Sequence, residues 1–344
     1  MSIKKLGDYT LDTEIIIPLL WTSQEEIMNL IDVNEKFKTE ESCWNYLEQM
    51  RWPNGIRCVT CGNGNISIIT RNVDKDTDNK RGKIYQCLEP TCQQQFSATS
   101  GTIFHDSHLP LTKWFLAVAL IADAKKGVSA KQLQRHLGIG SYKTAWYLAH
   151  RIRKSMEETE GSLLADRLKG TIEVDETYVG GKYDKRRKRA KYDKPAVMGL
   201  IERGDSGRVR TMRLKTVSKE TLVGTIFNHT DQDAHIMTDE HRGYKAVGKI
   251  RKHDSVNHIR EEWVRGNVHT NSIENYWSLF KRGLIGSFHQ VSVKHLERYM
   301  AEFDYRFNNR KDTDIFVKTI ARMCGTIPMP MAELTADPEA NQPF

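Results

Sequence analysis

GTIEVDETYVGGK (residues 170–182) is an alternating, β-branched run that ends in two acidic residues, Asp175 and Glu176, before a Gly-Gly turn. Apolar and polar residues that alternate in this way predict a strand with one buried face. Further along the chain, residues 194–203 and 208–217 have the same strand-like character. We therefore expect three consecutive strands here, with carboxylates at the end of the first.

A helix and a fourth strand complete this pattern. Residues 218–230 have helical periodicity, residues 234–238 form a strand-like run that ends at Asp239, and a later helical pattern carries Glu274. Three strands, a helix, a fourth strand and later helices are the order of a ribonuclease-H-like fold. We predict an α+β multidomain protein whose ribonuclease-H-like α/β catalytic domain covers residues 165–325.

In such a fold the first strand, the fourth strand and a later helix converge, which would bring Asp175, Asp239 and Glu274 together. Two Mg²⁺ ions about 4 Å apart can stabilise the attacking and leaving oxygens of a phosphodiester together. Mg²⁺ prefers oxygen ligands, and bound cations neutralise the repulsion between crowded carboxylates. A single acid at a strand end is most often only solvated, so the prediction depends on the three residues together.

Four of the six cysteines form two close pairs, a CxxC and a CxxxxC: Cys58 with Cys61, and Cys87 with Cys92. A short loop between two thiolates lets both face one tetrahedral ion, and two such loops close a four-sulfur Zn²⁺ site. Between the pairs the chain has the pattern of a strand, a polar loop and a strand. These features predict a structural zinc ribbon over residues 52–100, and free cysteines are the alternative interpretation.

Residues 101–156 have a helix-turn-helix-like pattern. An apolar helix is followed by a short helix that Ser129 can cap, a glycine turn, and a third helix after Ser141. In such motifs the later helix enters the major groove of DNA and its first residues meet base edges. A plain three-helix packing unit is the alternative. The predicted DNA contacts lie on the polar face of the third helix: Tyr142, Lys143, Arg151 and Arg153.

The charge of the chain also favours a polyanionic partner. There are 52 Lys and Arg residues against 44 Asp and Glu residues, a net charge of +8. KYDKRRKRAKYDK (182–194) contains eight basic and two acidic residues, and it could follow a phosphate backbone; a solvated hairpin loop is the alternative. Its predicted DNA contacts are Lys182, Lys185, Arg186, Arg187, Lys188 and Arg189.

The two ends of the chain are predicted to differ from the domains between them. Residues 1–51 contain two short amphipathic helical patterns, and residues 326–344 are proline-rich and acidic, which predicts a disordered tail. Apolar runs are far shorter than the roughly 20 residues of a membrane-spanning helix, and the first residues have no signal-peptide pattern. We therefore expect an intracellular, water-soluble protein. Cys43 and Cys324 are interpreted as ordinary core residues.

Four strings together resemble bacterial insertion-sequence transposases of the DDE superfamily, in the zinc-ribbon-bearing group related to Merlin-type elements. They are EVDETYVGGK (173–182), TDEHRGY (238–244), HTNSIENYWSLFKRG (269–283) and HLERYMAEFDYRFNNR (295–310). The resemblance implies a DNA transposase that frees 3′-OH ends and joins them to target DNA. It implies Asp175, Asp239 and Glu274 as catalytic ligands of two Mg²⁺ or Mn²⁺ ions.

The resemblance also implies further residues and partners. Lys281 would contact DNA near the cleaved phosphate. Asn271 is the alternative third ligand, ranked behind Glu274 because a carboxylate is the stronger ligand for a hard cation. The implied partner is double-stranded DNA, as transposon ends with terminal inverted repeats and as target, bound by a homo-oligomer. The implied location is the bacterial cytoplasm, in association with the nucleoid.

Two alternative functions stay open. The first is a domesticated, sequence-specific DNA-binding regulator without transposition activity, and the second is a ribonuclease-H-like nuclease of another kind. Three residues near the predicted site have a plainer interpretation. Glu176 is interpreted as structural, and His241 and His269 as surface or core histidines.

Overall fold

The computed structural model describes residues 28–69, 83–180, 194–204, 207–257 and 260–336, and its first half consists of helices with a small sheet inserted among them in sequence. The helices are α1 (Leu30–Lys36), α2 (Glu40–Arg51), α3 (Leu111–Asp123), α4 (Ala130–His136) and α5 (Tyr142–Met156). The inserted strands are β1 (Ile66–Ile69), β2 (Ile84–Cys87) and β3 (Gln95–Phe96), in that order and antiparallel. They form the ribbon that the sequence predicts. No helix in the described ranges is long and apolar enough to cross a bilayer.

A five-stranded sheet forms the later domain. Its elements, after α6 (Glu160–Ala165), are β4 (Thr171–Tyr178), β5 (Ala196–Glu202), β6 (Val209–Leu214), α7 (Lys219–His229), β7 (His235–Thr238), β8 (Lys252–Ser255), α8 (Asn271–Gly283) and α9 (Leu296–Asn308). The strand order is β6–β5–β4–β7–β8, with β4, β5 and β6 antiparallel and with β7 and β8 parallel to β4. This is the predicted ribonuclease-H-like order, with β8 added at the edge.

The alternation of β4 assigns its side chains to two different layers. Ile172 and Val174 belong to the core on the α7 side of the sheet. Successive side chains of a strand point to opposite faces, so Glu173 and Asp175 face the other layer. That layer contains α8 and α9, whose apolar residues pack on β5 and β6. Asp175 is therefore presented toward the helix that carries Glu274.

The chain returns to the helical region after α9. Helices α10 (Ile315–Gly325) and α11 (Met331–Thr335) pack in one hydrophobic core with α1 to α5. The rings of Phe37, Phe115 and Phe316 join α1, α3 and α10, with centroids 4.7 to 5.9 Å apart. The predicted catalytic domain over residues 165–325 is therefore too long, because α10 packs with the helical region. The predicted separation of the leading helices from residues 101–156 is likewise wrong, since both contribute to this core.

The predicted disordered tail is wrong for residues 326–336. Met329 and Leu334 are buried in the helical core, and the Tyr147 hydroxyl donates a hydrogen bond to the Met329 carbonyl. The prediction was based on composition, but two buried apolar side chains are enough to anchor this short proline-rich segment to the helical core. Residues 337–344 lie outside the described part of the chain.

The three helices predicted over residues 101–156 are α3, α4 and α5. The Ser129 hydroxyl accepts a hydrogen bond from Gln132 N at 3.2 Å and caps α4 as predicted. Gly138, with φ of +57°, forms the turn before α5; a residue with a Cβ would be strained there. Tyr142 and Lys143 are exposed at the start of α5.

Two of the four DNA contacts predicted on α5 are wrong, because Arg151 and Arg153 are only 3% and 1% exposed. Arg151 donates to the His105 carbonyl at 2.6 Å. Arg153 pairs with Glu302 of α9, with Nε and Oε2 2.5 Å apart, and its guanidinium lies over the Tyr299 ring at 4.2 Å. Both side chains therefore hold the protein interior together.

Replacement of Glu302 by Gln is expected to destabilise the protein strongly. The fully buried Glu302 carboxylate pairs with Arg153 and, at 3.0 Å, with Arg306. Loss of its charge leaves two buried guanidinium groups uncompensated, which costs about 3–5 kcal/mol in comparable cases. Urea unfolding followed by circular dichroism measures this loss.

Glu157→Gln is the control, because Glu157 makes a partly exposed pair with Lys154. Its cost should stay below about 1 kcal/mol. Equal stability of the two variants would contradict a structural role for the buried Glu302 cluster.

Candidate active site and metal centre

The ribbon gathers four cysteine sulfurs at one point. Their Sγ atoms all lie within 4.8 Å of one another, and the residues are Cys58, Cys61, Cys87 and Cys92. The Cys58–Cys92 and Cys61–Cys87 sulfurs are 3.7 and 3.6 Å apart. Four thiolates about 2.3 Å from one tetrahedral zinc ion would be about 3.8 Å from each other. The donor set and its spacing therefore fit a structural zinc ion.

The first cysteine loop has a backbone that favours this convergence. Gly62 N donates to the Cys58 carbonyl at 2.9 Å, and Gly62 has a φ of +73°, a conformation that suits glycine. Thr60 N points at the Cys58 sulfur from 3.5 Å. The loop thus turns both of its thiols toward the second pair. Cys43 is fully buried in the helical core, and Cys324 packs against that core, as predicted.

Gly199 allows α8 to approach the sheet beside Asp175. Asp175 on β4 is directly opposite Gly199 on β5, and residues opposite each other share a face of the sheet. A Cβ atom at Gly199 would be 2.6 Å from Trp277 and 2.7 Å from Ile273, so a larger residue would push α8 away. The small residue therefore keeps α8 close to the strand that carries Asp175.

The predicted carboxylates are close enough to affect one another. Burial, and then the charges of Glu176, Asp239 and Glu274, raise the pKa of Asp175 to about 7. Nearby like charges disfavour the ionised form of a carboxyl group. Asp175 within β4, Asp239 directly after β7 and Glu274 in the first turn of α8 are together called the acidic cluster; in the described part of the chain, only the four cysteines bring three or more ligand atoms within 4.8 Å of one another. A carboxylate donor set suits a hard divalent cation.

The other predicted site residues are placed around this cluster. Asp239 Oδ1 accepts a hydrogen bond from His241 N at 3.0 Å. Thr270 donates its hydroxyl to Glu274 Oε1 at 2.8 Å. Asn271 is exposed in the first turn of α8, and Lys281 is exposed in its last turn.

Glu176 points away from α8, toward Tyr244. The buried Tyr244 donates its hydroxyl to Glu176 Oε2, and His241 Nδ1 is 3.8 Å from Oε1. Burial raises the pKa of Glu176 as well. These contacts are consistent with the structural role predicted for Glu176. His269 is half-buried, with its Nδ1 3.2 Å from Glu173.

Sequence reasoning missed Glu173 and Arg203, which form an ion pair beside the cluster. Glu173 is fully buried, and its Oε1 is 2.6 Å from Arg203 Nε. The alternation of β4 contained a clue, since Glu173 and Asp175 fall on the same face of one strand. The partner Arg203 gave no comparable indication, because its pairing depends on the tertiary fold.

The predicted basic contacts at Lys182, Lys185, Arg186, Arg187, Lys188 and Arg189 lie outside the described residues. On the DNA-binding face predicted for α5, Tyr142 and Lys143 stay available. Tyr142 is 52% exposed. In a helix-turn-helix motif, the first residues of the later helix are the ones that meet base edges.

Two protein families match parts of the chain. The ISXO2-like transposase domain matches residues 167–308, and the transposase zinc-ribbon domain matches residues 38–95. Asp175, Asp239 and Glu274 fall within the first match, and the four clustered cysteines fall within the second.

Two relatives have similar sequences. A protein of the transposable element ISH50 in Halobacterium salinarum is 28% identical over 291 residues, which cover 78% of this chain and 91% of that protein. A transposase-like protein of Haemophilus influenzae is 29% identical over 103 residues, 30% of this chain and 82% of that protein. No solved structure is significantly similar to the chain.

Proposed function

We propose that this chain, an insertion-sequence transposase by its ISXO2-like transposase domain and its transposase zinc ribbon, binds the terminal inverted repeats of its element and catalyses strand cleavage and strand transfer. The observation that carries the proposal is the placement of Asp175 on β4 opposite Gly199, against which α8 with Glu274 packs, while Asp239 directly follows the neighbouring parallel strand β7. Carboxylates held this way by two strands and a helix suit phosphodiester chemistry.

Asp175, Asp239 and Glu274 are the proposed ligands of two Mg²⁺ or Mn²⁺ ions. Bound divalent cations would stabilise the charge on the attacking and leaving oxygens of the DNA phosphate. Glu274 is favoured over Asn271 as the third ligand, because a carboxylate binds hard cations more strongly than a neutral amide does. Lys281 presents an ammonium group on the same helix for a DNA phosphate.

The proposed DNA-reading element is the start of α5. Tyr142 and Lys143 are exposed there, and the glycine turn before them separates α5 from α4. The ribbon is proposed to hold a structural Zn²⁺ ion and to contribute to the recognition of DNA ends. Because strand transfer joins two ends to one target, we propose that a homo-oligomer assembles on DNA.

The test begins with the DNA that flanks the gene, where short inverted repeats bounded by direct duplications should be found. A duplex with those repeats is then incubated with the purified full-length protein and Mg²⁺ or Mn²⁺. We expect nicks at the repeat boundary that depend on the metal and are absent from a duplex with scrambled repeats.

Other outcomes separate the remaining candidates. Tight binding of the repeats without any cleavage would support the domesticated regulator. Preferential cleavage of branched junctions or RNA–DNA hybrids would support a ribonuclease-H-like nuclease of another kind.

A further inference from the structure

Glu173 is a residue of β4, but its carboxylate binds the N-terminus of α8. Its Oε2 accepts hydrogen bonds from Ser272 N at 2.7 Å and from Ile273 N at 3.1 Å, and its Oε1 accepts from the Ser272 hydroxyl at 3.0 Å. Ser272 and Ile273 are the second and third residues of α8. Their amides have no partner within the helix, and a capping side chain normally satisfies them.

The residue in the local capping position does not cap α8. Thr270 makes no side-chain bond to the first-turn amides; its hydroxyl donates to Glu274 Oε1 at 2.8 Å. Glu173 therefore performs the capping from another element, and its negative charge is favourable at a helix N-terminus. The same arrangement allows Thr270 to orient Glu274.

Arg203 binds both the Glu173 carboxylate and the backbone that leads into α8. Its Nε donates to Glu173 Oε1 at 2.6 Å, its Nη2 donates to the His269 carbonyl at 2.6 Å, and its Nη1 donates to the Asn267 carbonyl. A fully buried carboxylate needs such a charged partner. Arg203 thus neutralises Glu173 and fixes the segment that leads into α8.

We propose that Glu173 is a positioning residue that sets the place of Glu274 relative to Asp175. Asp175 lies two residues later on the same face of β4, and Glu274 follows directly after the two amides that Glu173 binds. The four hydrogen-bond donors on its oxygens, three from α8 and one from Arg203, together with His269 Nδ1 at 3.2 Å from Oε1, leave Glu173 poorly suited to be a metal ligand itself. This inference rests on the proposed function, since it assigns the role through Glu274.

The test compares Glu173→Gln with Glu202→Gln. Glu202 is the matched control, because it also pairs with an arginine, Arg208, at 3.0 Å, and it accepts from Lys169 N rather than from α8. Glu173→Gln removes the charge and places an NH2 donor either against the α8 amides on Oε2 or against Arg203 on Oε1. We expect the single-turnover cleavage rate to fall about 100-fold, and the Mn²⁺ concentration for half-maximal rate to rise. The control should stay within about threefold of wild type, and both should bind end DNA normally.

A second measurement is independent of catalysis. Hydrogen exchange at the Ser272 and Ile273 amides, followed without DNA or metal, should accelerate at least about tenfold in Glu173→Gln and not in Glu202→Gln. Unchanged exchange would overturn the proposal even if the wild-type protein cleaved no DNA. Absence of cleavage by wild type would instead count against the proposed function alone.

Arg203→Lys covers the case in which Glu173→Gln does not fold. Lysine keeps the charge but cannot reproduce the planar fork that reaches two carbonyls and Glu173. We expect a cleavage rate reduced on the order of tenfold, with faster exchange at the same two amides. A folded variant of either kind with wild-type cleavage and a wild-type Mn²⁺ requirement would overturn the positioning role.

Discussion

Asp175→Asn is expected to lower metal-dependent cleavage of end DNA by a factor on the order of 10³, while end binding stays normal. The substitution preserves the shape of the side chain but removes its charge. It therefore weakens metal binding at the point where β4, β7 and α8 meet, and a bound metal supplies several kcal/mol of transition-state stabilisation. Single-turnover cleavage and gel-shift binding, measured on the same protein preparation, separate the two effects.

Asp254→Asn provides the matched control for this variant. Asp254 is on β8 of the same sheet and pairs with His235 at 2.7 Å, at the edge of the sheet. Its replacement should leave the cleavage rate within about threefold of wild type. Cleavage by Asp175→Asn within about tenfold of wild type would remove Asp175 from the catalytic assignment.

The sequence could predict the elements that carry the proposed acidic residues, because a local pattern defines each of these elements. Asp175 lies within β4, three residues before the strand ends and not at the predicted strand end, whereas Asp239 directly follows β7. The buried residues Ile273 and Trp277 define the inner face of α8. The order of these elements then specifies the sheet, since few topologies accommodate it. The four clustered cysteines could also be predicted from the sequence, because a metal site requires its ligands at a characteristic spacing along the chain.

The sequence could not reveal which basic residues are buried. Arg153 lies among polar residues on a helix whose basic face is typical of a surface exposed to solvent or DNA. Its partner Glu302 is 149 residues away in sequence, so only the tertiary fold shows the pair. The Glu173–Arg203 pair could not be predicted either, because it too forms only in the tertiary fold, where it links β4, the residue after β5 and the start of α8.

The predicted domain boundaries were wrong for a related reason. The apolar face of α10 has the same periodicity whichever core it joins, and periodicity carries no information about the partner. The tertiary contacts of α10, including those of Phe316, Ile320 and Met323, are what assign it to the helical region. The chain therefore enters and leaves the domain of the five-stranded sheet through one shared helical core.

Cys87→Ser is expected to unfold the ribbon while the rest of the protein stays folded. The ribbon has three strands of four, four and two residues, and its core is small, with Tyr85 and Phe96 as its buried aromatic residues. A unit of this size buries too little apolar surface to be stable alone. Zinc binding contributes on the order of 10 kcal/mol in comparable small zinc units, so its loss removes most of the stabilisation.

Metal analysis and hydrogen exchange measure this effect in the full-length protein. Wild type purified without chelator should contain about one zinc per chain, and Cys87→Ser well under half of that. Exchange should accelerate in β2, whereas β4 and α3 keep their protection, because their buried residues form clusters distinct from that of the ribbon, with Trp52 as the shared contact between the ribbon and the helical core. Cys324→Ala is the control, since Cys324 lies outside the sulfur cluster, and it should keep its zinc. Protected β2 amides in metal-free wild type would show that apolar packing alone keeps the ribbon folded. A structural role for zinc would then be wrong.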